Sequence, residues 1–438
     1  MTARKLSLRS KLPRDLGIAH DGRPSIVEYG YYAVLFYTML APGWGALIPG
    51  AGGGALLVLA GFCVLRLGSR AAAVYAPLSL PLGCAFSFFI VEATVHGGSL
   101  TSGFPRIFIT WVLALLIIGS LHTQRRFLDR SALVMWAMGL VTLPYLVFAV
   151  PDTEILQGRL AADRTISGDF NNPNGLGGWF GFCCLYFLVT GIETRRSGVR
   201  LASSMAAAAC LYVIGLSVSR GALLGTALGA TIALRRVLRR GFVPLLTFVT
   251  LAGIFYNSGV FDQVISRYTT RGAEESGRFL VWPQALQRTL TAPILGVGAN
   301  NVDTYVPDAR TAVSPHNSFL WFALASGIVP LLLFIACWIR AAHNSLKYAD
   351  ELGHGPYRLP FLVHTFVVAM VGDLGFMQPW GVVTLCIAMA PGNPGHVRRV
   401  LSPRRAGRLG QSAGLLLQGH PCPDRRRLCR HVRGHRTV

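Results

Sequence analysis

Ser314-Pro315-His316-Asn317-Ser318-Phe319-Leu320 stands where a long polar segment meets an apolar run that continues to Ile339. That run is about as long as a helix needs to cross a bilayer core, roughly 20 residues. Ser314 is expected to cap the helix. Pro315 suits the first helical position, because its missing N–H would be unpaired there anyway. His316 would then fall in the first turn, where the partial positive charge of the helix terminus disfavours imidazolium. A neutral imidazole at a membrane surface can accept a proton near neutral pH. The exposed N–H groups of the same turn can hold an anion such as a phosphate. A plainer reading stands beside this one: Ser-Pro as a helix start and His316 as an interfacial polar residue.

Apolar runs of similar length recur along the chain. Of its 438 residues 52% are hydrophobic and only 14% charged, which excludes a soluble domain. The expected fold is all-α: a polytopic integral membrane protein of about 12 transmembrane helices with one large periplasmic loop between the ninth and tenth. The net charge of +22 is carried mostly in short loops and tails, so it reports topology before it reports a ligand. A nucleic-acid partner explains charge distributed in this way poorly. Seven of the nine cysteines, Cys63, Cys84, Cys183, Cys184, Cys210, Cys337 and Cys386, lie within apolar runs. There they act as small hydrophobes, and the odd count gives no disulfide framework.

Five segments follow in order. Residues 1–25 are a basic N-terminus without a cleavable signal pattern. Residues 26–256 hold spans one to nine, the second about Gly52–Leu67 and the third about Ala72–Val95. The seventh (Leu201–Val218) and eighth (Ala222–Leu234) form a hairpin with Arg220 at its tip, and the ninth is Phe242–Tyr256. Residues 257–314 are the large loop, and 315–390 hold spans ten to twelve. Residues 391–438 form an Arg-, Gly- and Pro-rich tail that reads either as a disordered, lipid-contacting segment or as a frameshift product. The basic, carboxylate-poor loops follow the second, fourth, sixth, eighth and tenth spans, which places them and both termini in the cytoplasm. Pro151–Asn174, Asn257–Ser314, the Arg220 tip and His316 then face outward. Gly50–Gly54 and Gly296-Val297-Gly298 lack the strand–loop–helix context of a phosphate loop. Cys422, Cys429, His431 and His435 match no standard zinc spacing.

Three outward elements can converge on His316. The long loop carries Arg267, Arg271, Glu274, Glu275 and Arg278, and Arg278 begins a segment, Phe279 to Leu286, expected to form a short helix on the membrane with Trp282 at the interface. Lipid headgroups are the alternative partners of these arginines. In Ser217-Val218-Ser219-Arg220-Gly221-Ala222 an arginine sits at the tip of a very short hairpin, where charge is costly and more often functional. In Asp169-Phe170-Asn171-Asn172-Pro173-Asn174-Gly175, Asn172 can cap and Pro173 can begin the sixth helix, while the amides offer contacts for hydroxyls. Two arginines and a neutral histidine suit a diphosphate substrate. Guanidinium forks bind phosphate oxygens in pairs and neutralise a leaving diphosphate, and the histidine removes a proton from an attacking hydroxyl. No metal and no cofactor is expected where arginines do the charge work.

SPHNSFLWFALASGIVPLLL, SVSRGALLG, DFNNPNGLG and SGRFLVWPQALQ…PILGVGANN together resemble the O-antigen ligase/polymerase family of bacterial envelope glycosyltransferases, over about residues 169–340. The resemblance implies transfer of a glycan from a polyprenyl diphosphate lipid to an acceptor hydroxyl on the outer face of the bacterial inner membrane. It makes His316 the candidate base and Arg220 and Arg278 the candidate diphosphate binders. Asn171, Asn172, Asn174, Arg271 and Asn317 are carried as candidate substrate-binding residues. The implied partners are the lipid-linked donor, a glycan, lipid or protein acceptor, and membrane lipids. Two rivals remain. One is a secondary transporter using the intramembrane His364 and Asp373. The other is a non-enzymatic polysaccharide assembly subunit, which would not need His316.

Overall fold

The computed structural model describes residues 23–40, 51–97, 103–122, 124, 126–142, 146–148, 159–162, 170, 172–238, 257, 259, 262–271, 278–306, 311–347, 354–372 and 374–390. The expected ninth span, Asn171, Asp373, Glu274, Glu275, residues 1–22 and the C-terminal tail lie outside them. Among the described residues the helices are α1 Ile26–Leu40, α2 Ala51–Leu67, α3 Ala71–Tyr75, α4 Ser79–Thr94, α5 Gly103–Leu121, α6 Phe127–Thr142, α7 Pro173–Glu193, α8 Ser197–Ser217 and α9 Arg220–Leu238. They continue with α10 Asp262–Arg271, α11 Arg278–Thr291, α12 Ser318–Ser326, α13 Ile328–Lys347, α14 Gly355–Val371 and α15 Pro379–Met389. Two antiparallel ribbons interrupt the helices: β1 Leu146–Phe148 with β2 Leu160–Ala162, and β3 Thr304–Val306 with β4 Thr311–Val313.

Among the described residues four helical stretches are long and apolar enough to cross a membrane: Gly53–Thr94, Pro173–Glu193, Ser197–Ser217 and Ile328–Lys347. Arg106–Leu121, Gly355–Val371 and Pro379–Met389 are shorter apolar helices. The 42-residue stretch Gly53–Thr94 is interrupted by 3-10 turns at Gly68–Arg70 and Ala76–Leu78. The first of these falls between the expected second and third spans.

The α7 helix is the centre. Of its most apolar 18-residue window 83% is buried, against 39% in α8 and 33% in α13. Small residues make that position possible, since glycines let neighbouring helices approach closely. A Cβ on Gly177 would lie 2.8 Å from the Ser219 Cβ, and one on Gly178 would lie 2.9 Å from the Trp380 ring. A second packing centre is aromatic. Phe108 of α5 stacks on Phe88 of α4 with ring centroids 3.9 Å apart, and on Trp321 of α12 at 5.6 Å. Trp321 is fully buried, so the helix that follows His316 is anchored in the core.

Contacts sort the helix ends into two groups. At one end Tyr186 of α7 donates to Asp129 of α6 at 3.1 Å, Thr190 meets the Tyr357 hydroxyl at 3.1 Å, and Asn344 of α13 donates to the Met389 carbonyl at 3.1 Å. Arg130 grips the buried Glu28 there through two bonds of 2.6 and 2.7 Å. At the other end the start of α7 meets the α8–α9 turn, Gly221 meets Val371 of α14, and Ser318 meets Gly372.

Three local expectations change. The run from Phe319 to Ile339 is not one helix. Gly327, at φ +80°, breaks it into α12 and α13. The helix after the Ser-Pro pair starts later than expected: Asn317, not Ser314, is the N-cap, and its side-chain oxygen accepts from Phe319 N at 2.9 Å and Leu320 N at 3.2 Å. His316 therefore precedes the helix instead of lying in its first turn. The expected fifth span, about Ala132–Val150, is helical only to Thr142 and gives way to β1 at Leu146–Phe148, while β2, β3 and β4 lie within segments read as loops.

Candidate active site

Four elements build the site from their ends. The α7 start is fixed as the sequence suggests, with Asn172 as N-cap accepting from Asn174 N at 2.9 Å and Pro173 in the first turn. The α8–α9 turn is very short. Val218 takes a left-handed conformation, φ +49°, and donates its N–H to Gly215 O, and Arg220 opens α9. A β-branched residue at positive φ is a true outlier, tolerated only where the surroundings over-determine it. Here the surroundings are Gly177 beneath the turn, the Ser219 hydroxyl donating to Asn174 Oδ1 at 3.2 Å, and the Ser217 hydroxyl donating to Ile214 O at 2.7 Å.

The third element is α11, whose first residue is Arg278. Trp282, one turn on, presents the same face. Its indole N–H donates to the Pro315 carbonyl at 2.7 Å. That bond ties the Arg278 helix to the residue before His316. The fourth is the α12 start itself. His316 is half-buried at φ +47°, and Ser318 donates its hydroxyl to Gly372 O at 3.0 Å. Since Val371 packs on Gly221, next to Arg220, the end of α14 links the His316 segment to the Arg220 turn. Only three described residues other than glycine have positive φ: Arg126, Val218 and His316. Two of them belong to this cluster.

Arg220, Arg278, His316, Asn172, Asn174 and Asn317 thus stand on elements that meet at one end of the bundle. The Asn172 and Asn317 oxygens serve as helix caps, and the Asn174 oxygen is held by neighbours. Arg271 is the last residue of α10, which packs against α8 through Val264 and Gly215.

Sequence reasoning passed over three residues here. Arg159 is 8% exposed and donates to Ser217 O at 3.1 Å and to Asn174 Oδ1 at 2.6 Å. Its only sequence signal was a position in a mixed-charge loop upstream of the Asn-rich turn. Glu92, buried on α4, accepts from Ala299 N at 2.7 Å and secures the segment between α11 and β3. Trp282 was read as an interfacial aromatic and not as a donor to Pro315.

His364, the transporter candidate, has a packing environment. Its Nε2 lies 3.0 Å from Gly178 O, its Nδ1 3.4 Å from the Thr226 hydroxyl, and its ring packs on Trp380 and on the glycine gaps at Gly181 and Gly225. A shallow crevice lined by Glu193, Arg235, Ser345 and Pro360 lies at the opposite ends of these helices, away from His316. Among the described residues no three His, Cys, Asp or Glu side chains gather as metal ligands do.

The apolar helices define the class as a multi-pass membrane protein. Residues 205–335 match the family model Wzy_C, described as O-antigen ligase. Arg220, Arg278 and His316 all fall inside the matched residues. No curated protein matches the chain.

Proposed function

We propose that the chain is an inner-membrane glycosyltransferase that moves a polyprenyl-diphosphate-linked glycan onto an acceptor hydroxyl at the periplasmic face. The observation that carries this reading is the meeting of the Arg220 turn, the Arg278 helix and the His316 segment through Gly221–Val371, Ser318–Gly372 and Trp282–Pro315. In the reaction His316 takes the acceptor's hydroxyl proton. The acceptor oxygen bonds to the anomeric carbon as the bond from that carbon to the diphosphate oxygen breaks. Arg220 and Arg278 hold the departing polyprenyl diphosphate, whose developing charge their paired N–H donors offset without a metal ion. Asn172, Asn174 and Asn317 would contact sugar hydroxyls and phosphate there, and Asn171 and Arg271 are carried as substrate-binding residues on their sequence position alone. The acceptor is a lipid, a growing glycan or a protein hydroxyl.

The test keeps charge and changes shape. Arg220→Lys and Arg278→Lys each place a single ammonium where a planar fork stood, and a point charge cannot reproduce two-point binding of phosphate. Both variants should accumulate normally and lose most glycan transfer. Near-normal transfer by both would make these arginines lipid anchors.

A further inference from the structure

We infer that Arg159 is a positioning residue that holds the Arg220 turn in place for the donor diphosphate; the inference rests on the reading of the site given above. Arg159 precedes β2, and β2 packs against α7 and α8. Its guanidinium reaches the two parts of the turn that most need a donor. One is the Ser217 carbonyl, at 3.1 Å. It lies at the C-terminus of α8, where the last carbonyls have no intrahelical partner and a cation is favoured. The left-handed Val218 follows at once, so the Ser217 carbonyl is the last atom fixed before the chain reverses. The other is the Asn174 side-chain oxygen, at 2.6 Å. That oxygen also accepts from the Ser219 hydroxyl at 3.2 Å. Arg159, Asn174, Ser217 and Ser219 therefore enclose the turn on both sides, and the next residue in the chain is Arg220.

Both acceptors are buried or half-buried, and Arg159 itself is 8% exposed. Removing a charged donor from buried acceptors costs more than the bond itself contributed, since the acceptors keep their desolvation cost. The strained Val218 turn lies between these two acceptors and Arg220, so relaxation of the turn falls on Arg220. Arg159 acts through Arg220 and not on the substrate.

The test is a double-mutant cycle on glycan transfer, with membranes supplied with polyprenyl-diphosphate-linked oligosaccharide and rates normalised to folded protein. Arg159→Ala should lower transfer by about 10- to 100-fold, as expected for buried acceptors left without their donor, and mainly by raising the donor KM. In an Arg220→Ala background the same substitution should cost roughly no more than twofold, because the two residues act as one unit. Arg159→Lys reaches only one acceptor and should be intermediate. It carries the same cycle if Arg159→Ala fails to accumulate. Losses that multiply across the two sites would make Arg159 a general structural residue and overturn the inference. So would full transfer by Arg159→Lys with an unchanged donor KM. If Arg220→Ala itself transfers normally, the reading of the site fails instead, whatever Arg159 does.

Discussion

His316 is held by its backbone as much as by its side chain. A non-glycine residue at φ +47° is uncommon, and histidine, asparagine and aspartate tolerate that region better than most. Asn317 explains the conformation. By turning its side chain onto two N–H groups of α12, it makes His316 the last residue outside the helix. Ser314 is the cap expected from the sequence, but the asparagine at Asn317 is an equally good capping type. Hydropathy could not choose between them, because the choice depends on which one reaches the free N–H groups. The residue types of His316, Arg220 and Arg278 could be read from the sequence; the backbone that carries His316 outside the helix could not. Trp282 supplies a test at this scale. Trp282→Phe keeps the ring and removes the indole N–H from Pro315 O. Transfer should fall about two- to tenfold, the usual net value of one such bond, at unchanged protein level. Equal rates would show that this bond does not set the position of His316.

The break between α12 and α13 shows what apolar patterning misses at the scale of elements. Ser326-Gly327 sits inside an unbroken hydrophobic run, and nothing in its periodicity marks an end. The cause lies some distance back in the chain. Val297 N donates to Leu324 O at 2.6 Å, Gly298 N to Ala325 O at 3.1 Å, and Ile328 N to Pro293 O at 2.9 Å. The segment after α11 thus takes up carbonyls that a continuous helix would have kept for itself. Gly327 permits this by its positive φ, and a Cβ there would collide with Ile294 O. Gly327→Ala should cost about 1–3 kcal/mol of stability through strain and displacement of that segment. Melting of purified protein in detergent should drop accordingly; an unchanged melting temperature would mean that the break is not glycine-dependent. The helix at Arg278 and the Asn172-Pro173 start were legible because each carries its own local signal. The two β ribbons, three residues per strand, are too short to show a period.

For the whole molecule, charge alternation is an expectation about sidedness, and the structure speaks only to which described helix ends touch. Those contacts run from Tyr186–Asp129 at one end to Ser318–Gly372 at the other. What the alternation did not show was how close the site residues come, because that depends on glycine gaps in α7 and on bonds between segments far apart in sequence. Sidedness has its own test. A cysteine at Glu274 should react with an impermeant thiol reagent added from the periplasm, and one at Lys347 only after the cytoplasm is opened; the reverse pattern would invert the topology. The described native cysteines are buried, which keeps their background low. The central claim, that this chain transfers glycans with His316 as base, is tested most directly by His316→Asn. Asparagine accepts the same backbone conformation and cannot act as a base at neutral pH. Transfer from polyprenyl-diphosphate-linked glycan should fall about 10²–10⁴-fold, the usual cost of losing a general base. Binding of the lipid-linked donor should stay near wild type, because the base acts in the transition state. Full transfer by His316→Asn would contradict the account.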